Sequence, residues 1–299
     1  MYSPLSWRIV ARTPPLIKWE SEFLDVMTNW IEDNTQAGYM VGWRAFCEYL
    51  HEPGSHGTGQ LMDEWNPLTD SPRLDDFYFT GFLCWLRSHR AVTFDTARKY
   101  LCGVRAVLIS HGLQCDLTQL PVLMAYKRAW KRKEAKGRTG LRLKESLTIR
   151  QIEDIIANPK VPNMVKAAVF LGFHTLARIS ELVKLRWEHV TESPDSVRIF
   201  LPSSKTDPFR RGSALTCLPS IWARFLSILG ATGDSGFIFP GLTRTLVAKF
   251  IGPTHSMRRG GAQYLFDLGF SLETIQRRGR WASMAWRNYI DTAARDLRL

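Results

Sequence analysis

The sequence has few cysteines, and their spacing fits no known cysteine framework. Cys47, Cys84, Cys102, Cys115 and Cys217 are scattered and odd in number, with no C-x-x-C pair. This pattern argues against a disulfide framework and against a zinc site. The seven histidines offer no metal-ligand spacing either. We therefore expect reduced thiols in an intracellular compartment.

The sequence also lacks a long apolar run, and it does not begin with the pattern of a signal peptide. We expect a soluble protein of the cell interior that makes no use of a membrane. The basic run from Lys127 to Lys136 fits either a nuclear signal or a nucleic-acid contact. Cytoplasm, nucleoid and nucleus all stay open.

Acidic residues are in the minority, with 28 Asp and Glu against 40 Lys and Arg, for a formal charge of +12. Residues 1–140 hold 17 basic and 15 acidic side chains, and residues 141–299 hold 23 and 13. Such a balance favours an anionic partner, most commonly nucleic acid, although a charge run is also often a solvated helix face. The candidate contacts to such a polyanion in the first half are Arg98, Lys99, Arg105, Lys127, Arg128, Lys131 and Arg132.

Apolar residues at helical spacing predict a helical bundle over residues 1–136. The predicted helices lie around Ser21 to Ile31, Thr35 to Leu50, Phe77 to Leu86, Thr96 to Ile109, and Thr118 to Trp130. Residues 137–146 are polar and basic and form the best candidate for a linker. The length of 299 residues allows a second domain over 147–299.

The second domain mixes helices with a small sheet. Thr148 and Gln151 form a capping-box pattern that begins a helix, and 165–185 has the pattern of one continuous helix. Ser196 to Leu201 and Ser213 to Leu218 predict the two strands of a hairpin. The sequence thus predicts a mainly α protein with a small antiparallel sheet: an N-terminal helical bundle and a C-terminal mixed α+β domain.

Four short motifs in the second half carry groups suited to phosphate chemistry. They are Arg178 with Glu181 three residues later, Lys205 in the hairpin turn, His255 with Arg258, and Trp281 followed by Tyr289. Each has an ordinary explanation when taken alone: a surface ion pair, a solvated lysine, a structural histidine and a packing aromatic. Their order and spacing together are much more specific.

In this order the motifs resemble the signature of the tyrosine recombinase (phage integrase) family, over about Thr148 to Asp291. The first half has no comparable motif, but the family places a helical DNA-clamping domain there. The resemblance implies a site-specific recombinase that cleaves and rejoins DNA through a 3′-phosphotyrosine, without metal or ATP. It also implies a homo-oligomer, a tetramer, that assembles on double-stranded DNA.

The resemblance assigns a role to each residue. Arg178 and Arg258 would hold the scissile phosphate, because a guanidinium matches phosphate geometry. His255 would move a proton or donate to the phosphate, and Lys205 would act as general acid on the leaving 5′-oxygen. Trp281 would donate its indole N–H and Glu181 would orient a neighbour. The nucleophile would be Tyr289, on a short helix that Ser283 could cap.

Two other interpretations stay open. One is a recombinase-derived DNA-binding protein that has lost catalysis, although the nucleophile, the two arginines and the lysine are all present. The other is a basic structural protein made of helices. Among enzymes, a topoisomerase or a telomere-resolving enzyme would use the same residues. The target sequence and the direction of the reaction are not readable from the sequence.

Overall fold

The computed structural model describes residues 17–28, 30–31, 33–52, 76–113, 115–137, 145–202 and 212–290. The chain divides into two compact units, Met1–Leu141 and Arg142–Leu299. Within the described ranges there are twelve α-helices and one three-stranded antiparallel sheet. The predicted fold class, mainly helical with a small antiparallel sheet, is confirmed.

The first unit is built from helices alone where the structure describes it. Its α-helices are α1 (Glu20–Thr28), α2 (Asp33–His51), α3 (Asp76–Ser88), α4 (Phe94–Ser110) and α5 (Pro121–Lys136), with 3-10 turns at Ile17–Trp19 and Leu117–Gln119. Their apolar faces meet in an aromatic core, in which the centre of the buried Phe46 ring lies 6.0 Å from that of Phe79 and 5.1 Å from that of Phe82. The five predicted helices are present with different ends: the first stops at Thr28, the second begins at Asp33 before Thr35, and Thr118 lies in the 3-10 turn before the fifth, which begins at Pro121.

Two close approaches fix this bundle. Helices α2 and α4 touch through their backbones, where a Cβ on Gly42 would lie 2.5 Å from the carbonyl oxygen of Tyr100. The carboxylate of Asp76, at the start of α3, accepts the backbone N–H groups of Val122 and Leu123 at 2.6 Å each. These N–H groups have no partner inside the first turn of α5, so Asp76 caps that helix from another element.

The second unit packs helices around a small sheet. Its α-helices are α6 (Ile149–Ala157), α7 (Asn163–Thr175), α8 (Ile179–Leu182), α9 (Pro219–Leu229), α10 (Arg244–Ile251), α11 (His255–Asp267) and α12 (Leu272–Gly279). Further 3-10 helices lie at Trp187–His189 and Met284–Asn288. The strands β1 (Val190–Glu192), β2 (Val197–Leu201) and β3 (Ser213–Cys217) are antiparallel in the order β1-β2-β3.

The local signals of this unit are mostly confirmed. Thr148 accepts a hydrogen bond from the Gln151 N–H while the Gln151 side chain accepts the Thr148 N–H at 2.9 Å, which completes the capping box of α6. The hairpin strands pair as expected, with Ile199 opposite Leu215. Strand β1 was not predicted, because three residues are too short to show an alternating pattern.

The prediction of one continuous helix over 165–185 is wrong. The chain breaks at Leu176, which has a left-handed φ of 54° although it is not glycine. The Leu176 side chain is fully buried against α11 and its neighbours, so tertiary packing stabilises a conformation that local sequence does not favour. The break redirects the chain, and Arg178 therefore lies at the start of the short helix α8.

In the parts of the chain that the structure describes, no helix is long and apolar enough to span a bilayer. The same ranges contain no group of three His, Cys, Asp or Glu side chains that could hold a metal ion.

Candidate active site

The second unit contains a cavity of about 670 Å³ that brings several predicted residues together. Arg178, His255, Trp281 and Tyr289 all line it, although they come from three separate stretches of the chain. The other lining residues are Ile179, Ser180, Val183, Leu242, Thr243, Arg244, Thr254, Ala282 and Ser283.

Arg178 and Glu181 form the ion pair that their spacing predicts. The Nη1 atom of Arg178 donates to Glu181 Oε1 at 2.7 Å, and the backbone N–H of Arg178 donates to Glu181 Oε2 at 2.8 Å. The Glu181 side chain is only 3% exposed. The pair is therefore a buried part of the site and differs from a solvated surface pair.

Two further arginines, Arg280 and Arg258, lie near the Glu181 carboxylate. Arg280 Nη2 donates to Glu181 Oε2 at 2.6 Å, and Arg258 Nη1 lies 3.9 Å from the same oxygen. Burial alone would raise the pKa of Glu181, but the charge of Arg280 and the hydrogen bonds from Arg178 hold it below its usual range. Three guanidinium groups thus surround one carboxylate, and the cluster carries an excess of positive charge.

Arg258 does not line the cavity but packs against Trp281, which does. Its side chain is 1% exposed, its guanidinium stacks 4.7 Å from the centre of the Trp281 ring, and its Nη2 donates to the carbonyl of Gly279. Its Nε and Nη1 have no hydrogen-bond partner among the residues described. Burial and the charges of Arg178 and Arg280 lower the pKa of Arg258 to about 9, which Glu181 opposes only in part.

The turn at Gly279 permits this stacking. A Cβ atom on Gly279 would collide with the six-membered ring of Trp281, so only glycine allows the indole to fold back at this position. Trp281 is in turn held by a hydrogen bond from Gln276 Nε2 to its carbonyl at 3.1 Å. The stacking of Trp281 on Arg258 therefore depends on the glycine at position 279.

His255 begins α11, as the His-x-x-Arg pattern predicts, and lies in the first turn together with Arg258. Burial, followed by the charges of Arg258, Arg178, Arg259 and Arg244, lowers the pKa of His255. The imidazole is therefore neutral near neutral pH, with one nitrogen as donor and the other as acceptor.

Tyr289 lies half-buried at the end of the 3-10 helix Met284–Asn288. Its ring centre is 5.4 Å from that of Trp281 and 5.3 Å from the guanidinium carbon of Arg259. The expected cap is wrong in detail: Ser283 precedes this helix, but its side chain makes no capping hydrogen bond to the described part of the chain.

Two other aromatic residues of this unit, Trp286 and Tyr264, do not line the cavity. The indole N–H of Trp286 donates to Gln276 Oε1 at 3.1 Å, and the ring of Tyr264 packs 5.5 Å from that of Phe173. Tyr289 is thus the one tyrosine that lines the cavity, as far as the described residues go.

Some predicted residues lie away from the cavity or outside the described ranges. Lys205 belongs to the connection between β2 and β3 and lies outside the described residues. In the first unit, α4 exposes Arg98, Lys99 and Arg105, while α5 exposes Arg128, Lys131 and Arg132 and half-buries Lys127. Arg105 Nε also donates to the carbonyl of Cys115 at 3.0 Å.

Two arginines of the site were missed from the sequence. Arg280 binds Glu181, and Arg259 lies over Tyr289 while its Nη1 donates to the Glu145 carbonyl at 2.9 Å. Arg259 directly follows Arg258, and Arg280 directly precedes Trp281, so their positions beside motif residues were the only available signal in the sequence. Their partners are distant in sequence, so the spacing of residues could not reveal the contacts.

The chain matches no protein-family model and no curated protein sequence. Its fold is similar to that of a lambda integrase dimer bound to a COC′ core site, with a TM-score of 0.57 and 16% identity over 94% of this chain and 96% of that one. It is also similar to Tn1549 transposon integrase in complex with transposon right end DNA, with a TM-score of 0.54 and 13% identity over 90% and 92%.

A third similar structure is the XerH site-specific recombinase bound to difH substrate in a pre-cleavage complex. The TM-score is 0.53, with 15% identity over 88% of this chain and 78% of that one. All three are tyrosine recombinases. The chain therefore has the tyrosine recombinase fold, and the similarity extends over both units.

Proposed function

We propose that this protein is a site-specific DNA recombinase that cleaves and rejoins DNA through a covalent 3′-phosphotyrosine on Tyr289. The observation that carries the proposal is that Arg178, His255, Trp281 and Tyr289 line one cavity, and that Arg258 packs against Trp281. The fold supports it, since the similar structures are recombinases and integrases in complex with DNA.

A DNA phosphate suits the charge of this site. Arg178, Arg258 and Arg280 share one carboxylate, and the buried Arg258 keeps two nitrogen atoms without hydrogen-bond partners among the described residues. A bound phosphodiester would accept from Arg178 and Arg258 and would balance the excess positive charge. The same preorganised donors would stabilise the additional negative charge of the five-coordinate transition state.

Tyr289 would supply the nucleophile. Its phenol gives up its proton to solvent or to His255 as its oxygen attacks the phosphorus, a phosphotyrosine bond forms, the bond to the 5′-oxygen breaks, and the leaving oxygen takes a proton to become a hydroxyl. We assign that proton to Lys205 as general acid, and to His255 a proton-transfer or phosphate-donor role. The reverse attack by a 5′-hydroxyl rejoins the strand, so the bond energy is conserved and the reaction needs neither ATP nor a metal ion.

We further propose that both units bind double-stranded DNA and that subunits assemble on it as a homo-oligomer, a tetramer. The support is the exposed basic residues on α4 and α5 and the larger basic excess of residues 141–299. One of the similar structures, lambda integrase, is described as a dimer bound to a core site.

The experiment is a search for a denaturant-resistant protein–DNA adduct. The protein is incubated with nicked duplex fragments of the DNA that flanks its gene, and the adduct is digested and mapped. We expect the phosphate on Tyr289 and no adduct with Tyr289→Phe, which removes one oxygen and little volume. Tyr264→Phe is the matched control and should form the adduct normally.

The same assay tests Lys205. Lys205→Ala should form the adduct slowly on ordinary DNA but recover on DNA with a 5′-bridging sulfur, because a thiolate leaves without a proton. Equal defects on both substrates would assign Lys205 to binding. An adduct on another residue would contradict the role of Tyr289, and tight DNA binding without any adduct would point to a DNA-binding protein that has lost catalysis.

A further inference from the structure

Arg280 has an unusual backbone conformation for its residue type. Its φ is 54°, in the left-handed region that glycine adopts freely and other residues rarely adopt. It follows Gly279, which directly ends α12, so a second glycine would make this turn with less strain. The presence of arginine therefore suggests that its side chain is used.

The Arg280 side chain reaches into the cluster around Glu181. It is only 10% exposed, and its Nη2 donates to Glu181 Oε2 at 2.6 Å. Its Nη1 donates to the carbonyl of Arg278 at 3.2 Å, which holds the guanidinium against its own turn. A short, charge-assisted and buried hydrogen bond of this kind is among the stronger polar contacts in proteins.

This contact joins two walls of the cavity. Glu181 binds both the side chain and the backbone N–H of Arg178, so one carboxylate orients the first wall. The turn that carries Arg280 also provides the Gly279 carbonyl for Arg258 and places Trp281 against both Arg258 and Tyr289. Loss of the Arg280 side chain would leave the two walls without this direct link.

We infer that Arg280 is a positioning residue of the proposed cleavage reaction. Through its contact with Glu181, Arg280 holds Arg178 and the Gly279–Trp281 turn in one arrangement around the scissile phosphate. The inference rests on the proposed function and adds to it a residue that acts through others and does not contact the phosphate. Misplacement of reacting groups by about 1 Å can slow a reaction about 100-fold.

The decisive variant is Arg280→Gly, because glycine suits the left-handed backbone and removes only the side chain. We expect a folded protein that binds duplex DNA nearly as tightly as the wild type. At saturating DNA, its single-turnover rate of adduct formation should fall roughly 10- to 100-fold. Arg277→Ala, which removes an exposed arginine of the same helix, is the matched control and should leave the rate unchanged.

Two further variants separate positioning from a general loss of charge. Arg280→Lys keeps the charge and should recover part of the rate. Glu181→Gln should slow the reaction, and the double variant Glu181→Gln with Arg280→Gly should be hardly slower than the worse single variant, because both act through one contact. Additive defects, or a wild-type rate for Arg280→Gly, would overturn the inference.

A measurement without DNA reports on the contact itself. NMR of carboxyl-labelled glutamate, with Glu181→Gln to identify the signal, should show Glu181 titrating at higher pH in Arg280→Gly, because a nearby cation is lost. An unchanged titration would overturn the proposed contact. If the wild type forms no adduct, the proposed function fails, whereas a wild-type adduct with an unimpaired Arg280→Gly contradicts only the inference about Arg280.

Discussion

At the scale of single residues, the site is organised by one buried carboxylate. Glu181 accepts hydrogen bonds from Arg178 and Arg280 and lies 3.9 Å from Arg258. Three buried cations around one anion would be unstable in an apolar core unless a second anion could enter. The cluster therefore lowers the stability of the free protein, and a bound anion such as the proposed DNA phosphate would offset this loss.

We predict that Glu181→Gln destabilises the second unit by about 3 kcal/mol, because breaking a buried ion pair leaves uncompensated charge. The exposed pair between Arg224 and Glu153 provides the control, and Glu153→Gln should cost less than about 1 kcal/mol. Urea unfolding at neutral pH measures both free energies. Equal losses in the two variants would show that Glu181 contributes no more than a surface pair.

The pH dependence of this stabilisation follows from the lowered pKa of Glu181. A carboxyl with a lowered pKa in the folded state stabilises the protein above its unfolded pKa, about 4.3, and loses that contribution as the pH falls through the folded value. The difference in stability between wild type and Glu181→Gln should therefore shrink in acid. A difference that stays constant down to acid pH would contradict this linkage.

At the scale of secondary-structure elements, glycines decide how closely two helices pack. Helix α2 contains Gly42, whose missing Cβ makes room for the Tyr100 backbone of α4, and Gly38, which has no atom within 4 Å of where a Cβ would be. The same residue type thus has opposite consequences one helical turn apart.

We predict that Gly42→Ala destabilises the first unit by about 3 kcal/mol, since the two backbones must separate. Gly38→Ala should instead stabilise the unit by about 0.5–1 kcal/mol, because alanine is the better helix former at an exposed position. Thermal unfolding of the two variants checks both signs. A neutral Gly42→Ala would show that the α2–α4 packing is loose enough to accept a Cβ atom. A destabilising Gly38→Ala would show that the space beside Gly38 is not open.

Elements with a periodic pattern could be predicted from the sequence, and those set by distant contacts could not. The helix around Thr96 to Ile109 follows from its apolar spacing, and α6 follows from its capping box. The break at Leu176 has no glycine or proline to announce it and depends on burial among residues from other elements.

The same limit applies to the site. Arg178, His255, Arg258, Trp281 and Tyr289 could be proposed from the sequence because their order and spacing are specific. The contacts of Arg280 with Glu181 and of Arg259 with Tyr289 could not, because only the folded chain brings these residues together. Local sequence holds no information on those distances.

At the scale of the whole molecule, charge is distributed unevenly between the two halves. Residues 141–299 have ten more basic than acidic side chains, whereas residues 1–140 have two more, with 17 basic and 15 acidic. In the first unit the exposed basic residues concentrate on α4 and α5, where Arg98 and Arg105 lie two helical turns apart on one face. We expect the second unit to provide most of the electrostatic attraction and the first unit to add a smaller set of phosphate contacts.

The last prediction concerns binding of the whole chain to duplex DNA. Each phosphate that a basic residue neutralises releases counterions, so affinity should fall steeply with salt, and loss of two such contacts should reduce the slope of log K against log salt by about 2. We expect this reduction for the double variant Arg98→Ala with Arg105→Ala. Arg90→Ala is the control, because Arg90 is already paired with Glu48 in the same unit. Fluorescence anisotropy with a labelled duplex at several salt concentrations measures the slopes. An unchanged slope in the double variant would mean that Arg98 and Arg105 do not contact DNA phosphates, and binding that is insensitive to salt would contradict phosphate contacts by either unit.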